Sequence, residues 1–313
     1  MKWRKSISCL PHDKCIGGIS LELRNIKGHT WAAEGPVNIG LYERDGQAVL
    51  IDSGNDSSFG RKLLKLAESH GFAIKWIINT HFHADHIGGN AFIQKRSNCK
   101  IASSAKEVPF INMPEGEPEH LWSAAAPKAI RNKFFQAEPS EATALLYDGD
   151  ELEKWGLKAI ALPGHSHGQI GIMTDDSVLF CADSVISPLI LKKYGIPFIS
   201  DFDMAMETFV LLENFKADYF VPSHGEICSD ILPLVNANRE CLLNLSKEIT
   251  EICKEPLSRD EIVARLAQNS AIEMNMGQYV LAHASVAAIL TPLIDKGVLV
   301  PDFSEGTLKI VKA

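Results

Sequence analysis

Residues 80–89 read Thr-His-Phe-His-Ala-Asp-His-Ile-Gly-Gly and place His81, His83, Asp85 and His86 within six positions. Imidazole and carboxylate are ligands that borderline divalent metals prefer, and crowding them together is costly unless a cation holds them. Side chains two apart point the same way in extended backbone. His81 and His83 can therefore converge on one cation while Asp85 and His86 turn toward another. The bland alternative is a solvated polar loop, and the flanks argue against it. The apolar run Trp76-Ile77-Ile78 leads into the cluster, and Gly88-Gly89 follow as a turn able to open a helix.

Four clustered residues cannot close two metal sites, so other loops must contribute. Leu162-Pro163-Gly164-His165-Ser166-His167-Gly168 sets a histidine in a Pro/Gly turn after a short strand from Lys158 to Leu162. Phe180-Cys181-Ala182-Asp183-Ser184 ends an apolar strand on a carboxylate, and Phe220-Val221-Pro222-Ser223-His224-Gly225 ends another on a histidine. Strand ends carrying metal-type side chains imply one site along one edge of a sheet.

In its H-x-H-x-D-H-x-G-G motif and the later Gly-His-Ser, Ala-Asp and Ser-His-Gly pieces, the chain resembles the metallo-β-lactamase superfamily across roughly residues 36–230. The resemblance implies an α/β fold, an αββα sandwich of two mixed sheets with helices outside. It assigns His81, His83 and His165 to a first metal, Asp85, His86 and His224 to a second, and Asp183 to the bridge between them. Asp52, in Leu50-Ile51-Asp52-Ser53-Gly54, resembles the family's early aspartate that supports the metal loop from behind its ligands. The common zinc β-lactamases carry cysteine where Asp183 stands here, which disfavours penicillin cleavage. Asn90 after the glycines matches glyoxalase II, but Ser223-His224-Gly225-Glu226 departs from that enzyme's Gly-His-Glu-Tyr.

Two divalent ions, Zn2+ by ligand type with Fe or Mn also fitting the nitrogen and oxygen shell, would bring a bridging water's pKa to about 7. The expected activity is hydrolysis of a small ester, thioester or lactone by that bridging hydroxide, with Asp85 as proton shuttle. Two other classes share the metal motif. One is a ribonuclease or phosphodiesterase. The other is a single-iron oxidoreductase resembling persulfide dioxygenases, its iron held by His81, His83 and Asp183 or a neighbouring set. His167 reads as hydration or outer support for the ligands. His12, His29, His70, His120 and His283 lack ligand spacing.

These loops require strands and helices to hold them. Val37 to Tyr42 and Gln47 to Ile51 flank Asp45-Gly46 as a hairpin, and Leu63, Leu64, Leu66 and Ala67 form an amphipathic helix stopped at Gly71. Ala48 to Ser53 is echoed by Ser177 to Ser184, as a duplicated half-domain would be. Between the first cluster and His165, residues 103–150 are broken by prolines and form a candidate cover over the metals. Its Phe110, Leu121, Trp122, Phe134 and Phe135 suit either substrate contact or packing. Residues 1–230 are read as the catalytic domain and 231–313 as a small helical, winged-helix-like domain. The latter comprises a helix from Ile231 to Ile252, a second opened by the capping box Ser258-Arg259-Asp260-Glu261, a third from Met276 to Asp295, and a hairpin.

With 31 basic and 39 acidic residues the net charge is −8, which argues against nucleic acid or an anionic membrane as partner. Residues 255–313 carry seven acidic and five basic side chains, so a DNA-reading role for that module is disfavoured. A small-molecule substrate is the expected partner, and packing or homodimer formation the expected use of the C-terminal module. The first ten residues contain no apolar stretch of signal length, no membrane-length run is uninterrupted, and seven scattered cysteines lack any C-x-x-C pair. A reducing cytoplasm is the expected setting. Cys181, in an apolar strand, reads as a buried small hydrophobe.

Overall fold

The structure is a computed structural model, described over residues 21–152, 154–304 and 306–313. The N-terminal reading, with His12, Cys9 and Cys15, lies outside the described residues. Strands β1 (Leu23–Lys27), β2 (Thr30–Ala33), β3 (Ile39–Arg44) and β4 (Gln47–Ile51) pair antiparallel in order. The β3–β4 turn has positive φ at Asp45 (52°) and Gly46 (74°), which suits the twist of a two-residue hairpin. Helix α1 (Ser57–Ser69) is capped by the Asp56 carboxylate, which accepts the Phe59 N–H at 2.9 Å. It returns the chain to β5 (Ala73–Ile78), parallel to β4.

The metal motif runs into the short helix α2 (Ala84–Ile87), which carries Asp85 and His86, and α3 (Asn90–Ser97) then leads to β6 (Lys100–Ser103). The proline-broken stretch forms α4 (Val108–Asn112) and α5 (Gly116–Trp122) before β7 (Ala142–Leu145) completes a seven-stranded mixed sheet. A second mixed sheet runs in the order β12-β11-β10-β9-β8. Its strands are β8 (Glu151–Leu152), β9 (Leu157–Ala161), β10 (Ile170–Thr174), β11 (Val178–Ile186) and β12 (Tyr219–His224).

The continuous apolar runs of β4 and β11 are explained by burial on both faces. Val49 and Ile51 face the same inter-sheet core as Val178 and Phe180, while Ala48 and Leu50 pack outward under α1. Leu179 and Cys181 pack outward on the other side, so Cys181 is the buried small hydrophobe that its strand context predicts. Helices α6 (Pro188–Tyr194) and α7 (Phe202–Asn214), and then α8 (Leu232–Ile252), α9 (Arg259–Asn269) and α10 (Met276–Asp295), lie on this second side. The predicted capping box is present at Ser258 and Glu261. Leu245, Ile249, Leu266, Val286 and Ile289 share one hydrophobic cluster with Leu179 and Cys181, joined by Leu299 and Ile310 of the hairpin β13 (Leu299–Asp302) and β14 (Lys309–Lys312). Of residues 231–313, α8 packs on β11 of the second sheet, while α9, α10 and the hairpin pack on the helices around it. The layers are helix, sheet, sheet, helix.

The echo between residues 48–53 and 177–184 has a topological counterpart. β4 pairs antiparallel with the preceding β3 and parallel with the following β5, and β11 does the same with β10 and β12. Of the aromatic candidates in the cover, Phe135 packs with Ile130 and Val280, and Leu121 joins that cluster. Phe110 stacks on Phe82 with ring centroids 4.4 Å apart, whereas Phe134 is exposed. Helix α10 is long and apolar enough to cross a membrane, but 44% of its apolar window is buried against the rest of the protein.

Candidate metal centre

The ligand-type residues meet where the carboxyl ends of β5, β11 and β12 and the β9–β10 turn come together. The site therefore lies on the shared rim of both sheets. That corrects the expectation of one edge of one sheet, and the reason is the topology: His81 to His86 leave the first sheet, whereas His165, Asp183 and His224 leave the second. The first loop is held by backbone pairing on both sides. Ser53 N–H donates to the His86 carbonyl at 2.8 Å, and Ile170 N–H donates to the Thr80 carbonyl at 2.9 Å. The Gly-Gly pair is required by close approach. A Cβ on Gly88 would sit 2.4 Å from the Asn55 carbonyl carbon, and one on Gly89 would sit 2.3 Å from the Ser53 oxygen.

The seven predicted ligands form three overlapping groups, each with its ligand atoms within 4.8 Å of one another: His81/His83/His165, Asp85/His86/His224 and His81/His86/Asp183. Asp183 stands between the first two. Its Oδ1 is 3.4 Å from His86 Nε2, and its Oδ2 is 3.5 Å from His165 Nε2 and 3.3 Å from His224 Nε2. Asp85 Oδ2 lies 3.2 Å from His224 Nε2.

The imidazoles are oriented from behind. His86 Nδ1 faces Asp52 Oδ2 at 2.8 Å, His165 Nδ1 faces the Phe198 carbonyl at 3.0 Å, and His224 Nδ1 faces the Pro36 carbonyl at 2.9 Å. Thr80 Oγ donates to Asp52 at 2.8 Å, so its lone pair is available to His81 Nδ1 at 3.0 Å. With each Nδ1 occupied as a donor, it is Nε2 of these four rings that faces the centre, free to offer a lone pair wherever a cation takes the place of a proton. His83 is turned the other way, its Nδ1 2.9 Å from His165 Nε2.

A cation fits this donor set. His81 Nε2, His86 Nε2 and Asp183 Oδ1 are buried without any hydrogen-bond partner in the protein, and they belong to a single group. Three orphaned buried polar atoms aimed at one another are expensive unless an ion satisfies them. The charges agree. Burial, reinforced by neighbouring imidazoles, pushes His81 and His83 well below the ordinary histidine value, as donors to a metal require. Burial opposes charge on His86 and His224, yet Asp183 and Asp85 outweigh it and hold both well above that value. Carboxylates gathered here therefore demand positive charge at the second group.

His167 is exposed and joins none of the groups. His29, His70, His120 and His283 stand apart from them too: His29 pairs with Glu43, His70 stacks on Phe72, His120 lies against Phe110, and His283 faces Arg259. Sequence reasoning missed two buried acids of the cover, Glu107 and Glu117. Burial pushes Glu107 up to about 7 against the hydrogen bonds it accepts, and pushes Glu117 up as well, with Asp85 adding to it. It missed Phe198 too, whose ring meets those of His83 and His165 edge-on at 5.2 and 5.3 Å. None of these carries a local motif.

A family model described as the metallo-beta-lactamase superfamily matches residues 32–224. A probable metallo-hydrolase of Methanocaldococcus jannaschii is 28% identical over 186 residues, covering 57% of this chain and 83% of that one. A hydroxyacylglutathione hydrolase of Rhodospirillum rubrum is 31% identical over 136 residues, 42% of each chain. Among solved structures, a beta-lactamase domain protein from Burkholderia ambifaria superposes with a TM-score of 0.75 at 18% identity, covering 96% of both chains.

Proposed function

The chain belongs to the metallo-beta-lactamase superfamily and is a hydrolase of that fold, and on that premise we propose that it is a dinuclear enzyme cleaving a small ester, thioester or lactone. The observation that carries the reading is the pair of ligand groups sharing Asp183, with His81/His83/His165 on one side and Asp85/His86/His224 on the other. Two divalent ions, Zn2+ by preference for this nitrogen and oxygen shell, would supply an activated water and polarise the substrate carbonyl when bound.

The protein's own groups complete the chemistry. Asp85 has a side chain 37% exposed, so it can reach both the ligand cluster and incoming substrate. In this reading it takes the proton given up by the attacking water and passes it to the departing oxygen or sulfur. Asp52 and the Phe198 and Pro36 carbonyls keep His86, His165 and His224 in the required tautomers. Phe82 lies against His83, and Phe198 against both His83 and His165, so apolar rings border that side of the site. A thioester is included because the Rhodospirillum relative is named for an acyl-glutathione substrate. Helix α10 acts as a core helix in this reading, with no membrane or nucleic acid engaged.

The test is a comparison of initial rates of Zn2+-loaded protein on matched thioester, lactone and phosphodiester substrates, with His83→Ala as the control for contaminating activity. A carbonyl preference abolished in the variant supports the proposal. A phosphodiester preference would reassign the protein to nuclease or phosphodiesterase chemistry. Absence of variant-sensitive hydrolysis on all three would sink the hydrolytic reading and turn attention to single-iron oxidation.

A further inference from the structure

Glu107 sits in the turn before α4 and is 1% exposed. Its Oε2 accepts the Phe82 N–H at 2.9 Å, and its Oε1 accepts both the Ser166 hydroxyl and the Gly168 N–H at 2.8 Å. Phe82 lies between His81 and His83, and Ser166 directly follows His165. One buried carboxylate thus ties the loop that delivers two ligands of the first group to the loop that delivers the third. Gly168 is fitted to this arrangement, since a Cβ there would stand 2.6 Å from Glu107 Oε1.

Asp52 touches a ring of the other group directly and reaches His81 only through Thr80. It accepts from His86 Nδ1 and from the Thr80 N–H and hydroxyl, each at 2.8 Å. The two acids act differently: Asp52 stands behind the His86 ring and, through Thr80, behind His81, whereas Glu107 holds together the two loops that carry His81, His83 and His165.

We propose that Glu107 is the positioning residue of the first metal site, setting its affinity while leaving the Asp85/His86/His224 site untouched. The proposal rests on the dinuclear reading above. A glutamine cannot replace the acid, because its one oxygen cannot accept at both ends and its amide would point N–H groups at another donor. A role in fold stability alone would weaken both sites together, so selectivity between sites is the discriminating quantity.

The experiment measures Zn2+ affinity by competition with a chromophoric chelator, for Glu107→Gln made in two backgrounds. His224→Ala retains the first group intact, and His165→Ala retains the second. The expected result is a loss of roughly ten- to a hundredfold in the His224→Ala background, the scale on which outer partners of metal ligands act. In the His165→Ala background the affinity should change by less than about twofold, which is below that scale. Equal losses in both, or no loss in the first, would overturn the assignment. Should circular dichroism show Glu107→Gln unfolded, Ser166→Ala removes one of the three donors and is expected to give a smaller loss with the same selectivity. A wild-type protein that binds a single Zn2+ would refute the two-metal reading instead, and Glu107 would then stand or fall on the His224→Ala comparison alone.

Discussion

Asp52→Asn should damage the second ligand group more than any other change outside the ligands themselves. The carboxylate is buried at the end of β4 and accepts three hydrogen bonds of 2.8 Å, with Oδ1 facing the Thr80 N–H and Oδ2 facing both Thr80 Oγ and His86 Nδ1. An asparagine keeping its oxygen toward the Thr80 amide turns its NH2 toward two donors. Hydrogen bonds to a charged acceptor contribute about 1.5–3 kcal/mol each, so two lost bonds remove about 3–6 kcal/mol before relaxation. His86 can recover part of this by moving its proton to Nε2 and accepting from the new amide. That shift fixes an N–H on Nε2, 3.4 Å from Asp183 Oδ1, where a lone pair must point at a cation held between them. Zn2+ affinity at Asp85/His86/His224 should fall about ten- to a hundredfold, or about 1.4–2.7 kcal/mol. Chelator competition measures the affinity, and urea unfolding of the metal-free variant measures the structural loss. Second-site affinity within twofold of wild type would refute this role, showing that Asp52 does not set the His86 tautomer.

Other changes test separate links. Asp85→Asn should lower turnover more than tenfold while metal content, read by elemental analysis, falls by a smaller factor; equal losses would make Asp85 a ligand only. Gly88→Ala forces a Cβ to within 2.4 Å of backbone at Asn55, so it should lower the unfolding midpoint by at least the effect of about 1 kcal/mol, and an unchanged midpoint would refute the close-approach account. Asp56→Ala removes the cap of α1 and should cost about 1 kcal/mol at pH 7. Although burial opposes it, the Phe59 amide and Lys133 hold Asp56 below the usual carboxylate value. Its folded value being the lower one, the charge-dependent part of that stability is complete above about pH 4 and is lost as pH falls through the depressed value, so the wild-type and variant midpoints should converge in acid. Dialysis against a strong chelator should abolish activity and lower the melting temperature of wild type, with recovery on adding Zn2+.

Legibility followed distance along the chain. The capping box at Ser258, the Asp45-Gly46 turn and the strand before His81 are specified by neighbours within a few residues, and all were readable. The candidate ligands were readable as a set because metal chemistry restricts residue type and the motif is dense, and the structure brings those residues together. Glu107 was not, since its partners at 82, 166 and 168 are brought to it only by folding, and Ala105-Lys106-Glu107 reads as surface. Backbone carbonyls such as those of Phe198 and Pro36 leave no trace in residue identity at all. The three C-terminal helices and their hairpin could be drawn from periodicity, but their joining one core with Leu179 and Cys181 could not, because amphipathic stripes do not name the surface they cover.

The placement of the ligands on a rim shared by two sheets has a kinetic consequence. His81 and His224 come from different sheets and are far apart in the chain, so bringing them together carries the closure cost of a long loop, and we expect the centre to be assembled late. Interactions absent from the folding transition state act on the unfolding rate and leave the folding rate almost untouched. Bound metal therefore acts as a latch between the halves: it should lengthen the lifetime of the native state without making the chain fold any faster.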